Sequence, residues 1–405
     1  MDLDAFLRLL TPAGRRALDE AVELVETGAD QVRAASTMRR SHDAALTAAA
    51  LTQAALRRRA EAKFGADARR MFFTPDGLEQ ATRPPVADRR AARVAALGAP
   101  VAVADVCCGI GGDLIALARA GCAVDAVDRD PLTAAVARAN ADALGLTGVR
   151  VRTGAAEDVD PGAYQVLFAD PARRRAGGRV FDPAAYSPPW PVVLDLAGRA
   201  PAGCVKAAPG LPHELVPDRA EVEWVSFAGE VKEAALWLGR LAPALAPGAR
   251  IRRRATSLPS GETLAADGEP TRAAAGPIGD YLYEPDGAAI RAGLVAEVAE
   301  LVGGRLLDPM IAYITGDRRV ETPWASCYAV REMMPFSVKR LRAALRARGV
   351  GEVTIKKRGS AVDVERLRRD LRPSGDESAV VVLTRIGDKP YAVICAAMRN
   401  PAVHE

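Results

Sequence analysis

The spacing of apolar residues changes twice along the chain, and these changes predict three parts. Up to about residue 70, apolar residues recur every three to four positions, which is typical of amphipathic helices. Helices are predicted over 4–10, 12–27 and 41–64. Ser41 is the predicted N-cap of the third helix and Gly65 its stop. We therefore expect residues 1–70 to form a helical N-terminal region.

Residues 71–265 change to short β-rich apolar runs that alternate with helical segments, as in a parallel sheet covered by helices. Seven runs predict strands, over 101–105, 123–128, 149–154, 164–169, 204–208, 221–227 and 251–258. A helix is predicted over 234–241, and the Gly- and Pro-rich stretch 260–276 is predicted to be a linker. The expected fold class of this part is α/β, with a Rossmann-like sheet of seven strands.

The third part, residues 277–405, is predicted to be an α+β domain with a small sheet. Its later half reads as strand, helix, strand, helix and two final strands. Ser337 precedes the first of these helices and Asp363 caps the second. Gly387-Asp388-Lys389 predicts a hairpin turn between the last two strands.

Composition limits the class of protein. The chain has 405 residues, more than one domain usually holds, and its 49% hydrophobic and 26% charged residues are ordinary for a soluble protein. No apolar run approaches the roughly 18–20 residues that span a bilayer, and the N-terminus lacks the basic region of a signal peptide. We expect a cytoplasmic protein that does not contact membranes. Six scattered cysteines without a C-x-x-C pair, and three distant histidines, predict no metal site.

The net charge of +4 is unevenly distributed. Residues 336–405 hold 15 Lys and Arg against 8 Asp and Glu, which leaves the rest of the chain at −3. A basic domain on a nearly neutral body is typical of nucleic-acid binding. Solvated helix faces also carry such an excess, so both interpretations are open.

The stretch VAVADVCCGIGGD, Val101 to Asp113, carries the first chemical signal. A strand runs into Gly109, Gly111 and Gly112, which allow the backbone to turn tightly and approach a ligand. The loop lacks both the G-x-G-x-x-G spacing of a dinucleotide site and the lysine of a phosphate-binding loop. Asp128 ends the next strand, where an acid in a doubly wound sheet accepts the hydroxyls of a ribose.

Together these two segments resemble the class I S-adenosylmethionine-dependent methyltransferases, over about residues 70–265. The resemblance implies S-adenosyl-L-methionine as cofactor, with Asp105 near its methionine part and Asp128 on its ribose. Phe72-Phe73-Thr74-Pro75-Asp76 is also distantly similar to a turn that closes over the cofactor in trimethylguanosine synthase-like methyltransferases. The cofactor-binding residues implied are Phe73, Thr74, Asp105, Cys107, Gly109, Gly111, Gly112, Asp113, Asp128, Arg129, Ala156 and Glu157. For the domain, the alternative is a Rossmann-like fold that binds another adenosine compound. For Phe72 and Phe73, the alternative is that they are core residues.

Asp170-Pro171 follows the fourth strand, at the sheet edge where open α/β proteins bind ligands. It resembles the Asp/Asn-Pro-Pro-aromatic motif of amine-directed methyltransferases, in which the acid and the proline carbonyl accept hydrogen bonds from the acceptor amine. The resemblance makes Asp170 and Pro171 the catalytic candidates. This chain has Ala172 and Arg173 where that motif has its second proline and aromatic.

The candidates for substrate contacts lie farther along. Arg173 to Arg175 would hold phosphates or stack on a base, and alternatively Phe181, Tyr186 or Trp190 would supply the stacking face. Arg173 and Trp190 are the two selected. Ser187-Pro188-Pro189-Trp190 is mainly interpreted as the start of a helix. Lys206 lies inside a buried strand, where a lysine is costly unless its tip reaches a site or solvent. Contact with substrate and capping of the sheet are both open for it.

The C-terminal part resembles the THUMP-like domain attached to certain bacterial methyltransferases, and THUMP domains bind RNA. The resemblances together imply a methyltransferase that acts on RNA, either tRNA or rRNA, bound through the basic domain. Methylation of a protein or small molecule is one alternative. An RNA-binding protein that retains the cofactor pocket without catalysis is another.

Overall fold

The structure is a computed structural model that describes residues 1–173, 182 and 185–397, with the backbone alone at 173 and 397. The chain divides into two compact units. The first comprises residues 1–220 and 235–244, and the second comprises residues 221–234 and those from 245 onward. The division into 1–70, 71–265 and 277–405 stays a prediction.

The first unit begins with helices that pack on one another and continues into alternating strands and helices. Its helices are α1 Leu3–Leu9, α2 Pro12–Glu26, α3 Gln31–Met38, α4 Ala44–Phe64, α5 Pro75–Gln80, α6 Pro84–Ala95, α7 Gly112–Arg119, α8 Pro131–Ala143 and α9 Trp190–Arg199. Its strands are β1 Ala102–Val106, β2 Ala123–Asp128, β3 Val149–Thr153, β4 Val166–Ala169, β5 Ala172–Arg173, β6 Tyr186–Ser187 and β7 Ala202–Ala207. Single 3-10 turns lie at Gly65–Arg69, Ala156–Asp158 and Pro161–Ala163, and another at His213–Leu215.

The sheet of the first unit has the order β7-β4-β1-β2-β3, and these neighbouring strands are all parallel. Because β1 lies between β2 and β4, the chain leaves it in one direction and returns on its other side. The carboxyl ends of these strands therefore form a crevice beside β1, the usual ligand site of such sheets. This arrangement confirms the predicted α/β fold class.

Four strands follow in the chain: β8 Glu221–Phe227, β9 Glu230–Gly239, β10 Arg252–Leu258 and β11 Glu262–Asp267. Strands β8, β10 and β11 belong to the second unit, and β9 is divided between the two units. Strand β10 is parallel to β8 and antiparallel to β11. All seven predicted strands are present. The helix predicted over 234–241 is wrong, because this segment belongs to β9, and the predicted linker 260–276 contains β11.

The N-terminal helices differ from the prediction in their caps. Helix α4 begins after Asp43, whose carboxylate accepts hydrogen bonds from the Ala45 and Leu46 amides, so Ser41 is not its N-cap. The additional helix α3 begins after Asp30, which caps it in the same way. The predicted stop at Gly65 is confirmed, since Gly65 ends α4 with a φ of 56°.

The rest of the second unit is built on a seven-stranded sheet. Its elements are β12 Tyr281–Pro285, α10 Gly287–Arg291, α11 Val295–Leu301, β13 Arg305–Asp308, β14 Ile311–Gly316, β15 Ala325–Pro335, α12 Val338–Ala347, β16 Val350–Lys357, α13 Val364–Leu371, β17 Glu377–Ile386 and β18 Lys389–Ala397. The strand order is β13-β14-β12-β15-β18-β17-β16, and of its adjacent pairs β16–β17 is parallel. Apolar residues of α12 and α13 pack on one face of this sheet. The predicted order from β15 to β18 is confirmed, with Ser337 and Asp363 as the helix caps.

No helix in the part of the chain that the structure describes is both long and apolar enough to cross a bilayer.

Candidate cofactor and acceptor site

The loop from β1 to α7 has the backbone conformation that its glycines predict. Gly109 and Gly111 have φ values of 57° and 91°, and Cys107 adopts a φ of 64°. A side chain at 109 or 111 would be strained in this left-handed region whatever space surrounds it. Gly111 is the N-cap of α7, and Gly112 and Asp113 begin the helix. The loop therefore presents main chain, rather than side chains, at the crevice beside β1.

Asp128 ends β2 directly beside this loop. Its carboxylate accepts hydrogen bonds from the amides of Gly109 and Asp130, each at 3.0 Å. Each carboxylate oxygen retains lone-pair capacity for a further donor, which two ribose hydroxyls would supply. Burial raises the pKa of Asp128 from its usual value, against the lowering effect of these two amides.

Near Asp128 lie three other residues from the predicted cofactor set. Arg129 donates a hydrogen bond to the Ser187 hydroxyl at 2.8 Å. Ala156 is buried and Glu157 exposed in the short turn after β3. These positions are consistent with the neighbourhood of an adenosine, and their contacts with one stay a prediction.

Asp105, in β1, is fully buried, and neither of its carboxyl oxygens has a hydrogen-bond partner among the described residues. Burial, together with the charges of Asp113, Asp170 and Asp128, raises the pKa of Asp105 well above its usual value. Burial likewise raises the pKa of the Cys107 thiol. Burial thus disfavours the charged form of both groups, and the Asp105 carboxyl has hydrogen-bonding capacity that the described residues do not use.

Asp113 forms the centre of a buried polar network. Arg90 donates to its Oδ1 from Nε at 3.0 Å and from Nη2 at 2.7 Å, and the Thr82 hydroxyl donates to Oδ2 at 2.7 Å. Burial alone would raise the pKa of Asp113, but Arg90, Lys206 and Thr82 together hold it below its usual value. The carboxylate is therefore ionised, and its charge is matched by cations within the fold.

The network extends from Asp113 to the predicted catalytic residue. The Lys206 ammonium, from β7, donates to Asp170 Oδ2 at 2.6 Å and to the Thr82 hydroxyl at 2.7 Å. It also lies 3.9 Å from Asp113 Oδ2. Asp170 follows β4 directly, and its side chain is 34% exposed. The tip of Lys206 therefore reaches Asp170 at the end of β4, and its contact with substrate stays a prediction.

The segment before α5 is held by two side-chain amides. Gln53, on α4, accepts from the Phe73 amide at 3.0 Å and donates to the Phe73 carbonyl at 2.6 Å. Asn140, on α8, accepts from the Phe72 amide at 2.6 Å and donates to the Phe72 carbonyl at 3.1 Å. Asn140 also donates to the carbonyl of Ile110, in the glycine loop, at 2.9 Å. The N-terminal helices are thus tied to the loop through one short segment.

The side chains of this segment serve the core and a helix cap. The Phe73 ring is fully buried and packs against Phe64, with ring centroids 5.6 Å apart. Thr74 is the N-cap of α5 and accepts from the Gly77 amide at 3.0 Å. Their predicted contact with the cofactor stays a prediction, but the core interpretation describes where the Phe73 ring lies.

Two curated relatives are similar to nearly the whole chain. They come from Mycobacterium tuberculosis strains CDC 1551 / Oshkosh and ATCC 25618 / H37Rv, and each is named an uncharacterized S-adenosylmethionine-dependent methyltransferase. Each is 39% identical over 355 residues, 86% of this chain and 95% of the relative. The chain belongs to the S-adenosylmethionine-dependent methyltransferases.

Other comparisons agree with the architecture of this methyltransferase. The crystal structure of a presumed methyltransferase from Porphyromonas gingivalis W83 matches with a TM-score of 0.77 at 21% identity, over 95% of this chain and 99% of that one. Residues 325–397 match the family described as THUMP domain-like, which runs from the start of β15 to the end of β18. Residues 2–60 match the Domain of unknown function (DUF8688). The predicted THUMP-like part is confirmed.

The described residues fit the cofactor of the methyltransferase. S-adenosylmethionine needs an acceptor for its ribose, a close main-chain surface and a partner for its charged methionine end. Asp128 and the loop at Gly109 and Gly111 offer the acceptor and the main-chain surface at one sheet edge, and the contact of the unpartnered Asp105 carboxyl with the methionine end stays a prediction. Thr82 and Arg90 were not predicted to lie near the site, whereas Lys206 was singled out as a lysine inside a buried strand with its role left open.

The residues predicted to contact substrate are either buried or outside the part of the chain that the structure describes. Trp190 begins α9 as predicted, but its side chain is buried, with its ring centroid 5.5 Å from that of Tyr186. In this arrangement Trp190 offers no open face for a base. The side chain of Arg173 lies outside the described residues, as do Arg174, Arg175 and Phe181.

Proposed function

We propose that this methyltransferase modifies RNA, either tRNA or rRNA, and binds it through the basic THUMP-like part of the second unit. The observation that carries the proposal is the concentration of exposed cations on α12 and α13 within a THUMP-like fold. On α12, Lys339, Arg340 and Arg346 are exposed and have no ion-pair partner among the described residues. Arg369 is in the same situation on α13.

The two helices present these cations on adjacent surfaces. Lys339 and Arg346 are seven residues apart on α12 and therefore lie on the same side of it, with Arg342 between them. Arg342 donates to the carbonyl of Asp370 at the end of α13, which joins the helices at this edge. Other arginines of the region are neutralised by acids, as Arg348 is by Glu332 at 2.6 Å. The unpaired cations are available for the phosphates of an RNA backbone.

In the first unit we assign the cofactor to the crevice beside β1. S-adenosylmethionine supplies an activated methyl group on its sulfonium. Asp128 would accept the ribose hydroxyls, the backbone at Gly109 and Gly111 would lie under the methionine part, and Asp105 would meet its polar end. In this assignment Asp128 and Asp105 would each meet one end of the cofactor, with main chain between them.

Asp170 and Pro171 are the groups that we assign to the acceptor. The free oxygen capacity of Asp170 and the Pro171 carbonyl would accept hydrogen bonds from the acceptor nitrogen, which orients its lone pair toward the methyl group. Methyl transfer is an in-line displacement, so this orientation supplies much of the rate. The partial exposure of Asp170 leaves it accessible to a substrate.

The test is methyl transfer from S-adenosylmethionine with a tritiated methyl group to tRNA and rRNA isolated from cells that lack this protein. We expect RNase-sensitive incorporation into one of the two fractions. Reversal of two charges, Lys339→Glu with Arg346→Glu, should weaken RNA binding and lower the slope of log affinity against log salt by about two. Binding is measured by fluorescence anisotropy over a salt series.

The matched control reverses two exposed charges on α2, Arg15→Glu with Arg16→Glu, and should leave RNA binding unchanged. Calorimetric titration with S-adenosylhomocysteine shows whether each variant keeps its cofactor site. No incorporation into either RNA by protein that binds S-adenosylhomocysteine would contradict the proposal and favour a protein or small-molecule substrate. RNA binding without incorporation would favour the non-catalytic alternative.

A further inference from the structure

We propose that Lys206 is a positioning residue that holds the Asp170 carboxylate for the acceptor and ties it to the cofactor loop. This inference rests on the function proposed for Asp170, but it concerns a different residue and a different contact. Four residues carry it: Asp170, Lys206, Thr82 and Asp113. They lie, in that order, directly after β4, in β7, in the segment before α6 and in the first turn of α7.

The Lys206 ammonium joins two carboxylates that have different predicted tasks. It lies 2.6 Å from Asp170 Oδ2, on the acceptor side, and 3.9 Å from Asp113 Oδ2, on the cofactor side. Thr82 completes the connection, because its hydroxyl accepts from Lys206 at 2.7 Å and donates to Asp113 at 2.7 Å. A series of short polar contacts therefore connects Asp170 with Asp113, the residue that directly follows the glycine loop.

The burial of these polar contacts indicates that they are a specific feature of the fold. The side chains of Lys206 and Asp113 are 13% and 8% exposed, and that of Arg90 is 4% exposed. Charges so far from water are tolerated only when they are paired and hydrogen-bonded. Here Arg90 pairs with Asp113 at 2.7 Å and Lys206 pairs with Asp170 at 2.6 Å. The positive and negative charges of these side chains offset one another, so loss of Lys206 would leave Asp170 without its cation.

We expect the contact with Lys206 to fix the orientation of the Asp170 carboxylate more than it affects the affinity for the cofactor. With Oδ2 held by Lys206, the Asp170 carboxylate has one defined rotation, and the rest of its capacity faces the exposed side. An error of about 1 Å in placing a reacting group can cost roughly 100-fold in rate. Asp113 keeps its two bonds from Arg90 when Lys206 is changed, so the cofactor loop should stay intact. We expect Lys206 to affect the rate of transfer and to leave the binding of cofactor nearly unchanged.

The first arm of the test is kinetic and uses the RNA fraction that accepts methyl groups. Lys206→Met keeps the length of the side chain and removes its charge. We expect kcat to fall between about 10- and 100-fold, while KM for RNA and the Kd for S-adenosylhomocysteine change less than about threefold. Lys206→Arg, which keeps the cation, should recover part of kcat. Equal kcat in Lys206→Met and the wild type would overturn the proposal.

The second arm needs no RNA, so it separates failure of this inference from failure of the proposed function. Hydrogen exchange is followed in residues 166–173 with and without S-adenosylhomocysteine. In the wild type we expect the ligand to slow exchange there, since Lys206 and Thr82 connect this strand end to the loop. In Lys206→Met the ligand should still bind but no longer slow exchange in 166–173. If the ligand still slows exchange in 166–173 of Lys206→Met, the contact of Lys206 with Asp170 does not connect this strand end to the cofactor loop.

Two further variants guard against a general loss of structure. Thr82→Val is nearly isosteric and interrupts the same connection at its other member, so it should reproduce the loss of protection in 166–173. Lys232→Met is the matched control, because Lys232 lies on β9 and pairs with Glu230 away from this network. It should behave as the wild type in both arms. Loss of protection in Lys232→Met as well would contradict the assignment to Lys206.

Discussion

Asp105 is the residue at which the requirements of folding and of ligand binding conflict most clearly. A buried carboxyl without a hydrogen-bond partner is destabilising, and the surrounding acids add to this cost. Its neighbours in β1 are apolar and pack in the core, so any small apolar residue would suit the strand better. The carboxyl is explained if its partner is the cofactor.

The raised pKa of Asp105 makes stability depend on pH. The unfolded chain releases the proton near pH 3.9, whereas the folded protein keeps it to a much higher pH. Between these limits the folded state binds more protons than the unfolded state, so the free energy of unfolding falls as pH rises, by up to about 1.4 kcal/mol per pH unit. Asp105→Asn removes this dependence. Its melting temperature relative to the wild type should rise between pH 5.5 and pH 8.

Differential scanning calorimetry at the two pH values measures the change. Asp142→Asn, at an exposed position of α8, is the control and should follow the wild type at both. A difference between Asp105→Asn and the wild type that is the same at pH 5.5 and pH 8 would show that Asp105 is already ionised in the folded protein at pH 5.5.

Among the elements, the N-terminal helices have a defined task toward the glycine loop. Helix α4 supplies Gln53, which holds both main-chain groups of Phe73, and α8 supplies Asn140, which holds Phe72 and Ile110. The region matched by the Domain of unknown function therefore contributes a support for the segment beside the loop. A helical bundle without a ligand site of its own can affect the cofactor in this way.

Gln53→Ala tests this support. The change leaves a buried amide and a buried carbonyl of Phe73 without partners, at a cost of about 1–3 kcal/mol for each. We expect a lower melting temperature and a Kd for S-adenosylhomocysteine that rises roughly tenfold, which corresponds to about 1.4 kcal/mol. Calorimetric titration below the melting temperature gives the affinity.

Thr52→Ala is the neighbouring control, since the Thr52 hydroxyl bonds only to Ala48 within the same helix among the contacts described. It should bind S-adenosylhomocysteine as the wild type does. Wild-type affinity in folded Gln53→Ala would mean that the amide stabilises the core without influencing the loop.

Local patterns in the sequence were sufficient for some elements and insufficient for others. The cap at Asp363, the stop at Gly65 and the turn at Gly109 depend on residues close in sequence, and the structure has all three. Strand β9 was predicted as a helix because Ala234 to Leu238 favours helix by composition, whereas burial of consecutive residues between neighbouring strands decides for a strand. The Lys206 network unites positions 82, 113, 170 and 206, which only the strand order brings together.

At the scale of the whole molecule, the residues proposed for the two tasks belong to different units. Those proposed for the cofactor and the acceptor belong to the first unit, and the exposed cations of α12 and α13 proposed for RNA belong to the second. The match to the THUMP domain-like family begins at β15, but β15 also pairs with β12 in a continuous sheet. Removal of residues 336–405 would take β16 to β18 from that sheet, so charge reversal is the cleaner way to test RNA binding.

We therefore expect binding of S-adenosylhomocysteine to slow hydrogen exchange in the first unit and not in the second. Saturation with S-adenosylhomocysteine stabilises the segments that open when the ligand leaves, by about 2.7 kcal/mol at 100 times Kd. We expect slower hydrogen exchange in residues 105–113 and 128–130 and unchanged exchange in residues 377–397. Mass spectrometry of peptic peptides from the full chain measures both. Slower exchange in β17 or β18 would show that the ligand is felt by the second unit as well.

The amide contacts of Gln53 and Asn140 also have a consequence for how this protein has diversified. Both side chains recognise main-chain atoms of Phe72, Phe73 and Ile110, so the support does not depend on which apolar residues occupy those three positions. The buried Phe73 ring packs against Phe64 of α4, so a change in its size calls for a compensating change in the core but not in the two amides. Across distant relatives, the two amides should be retained while the residues that they hold vary in size and shape.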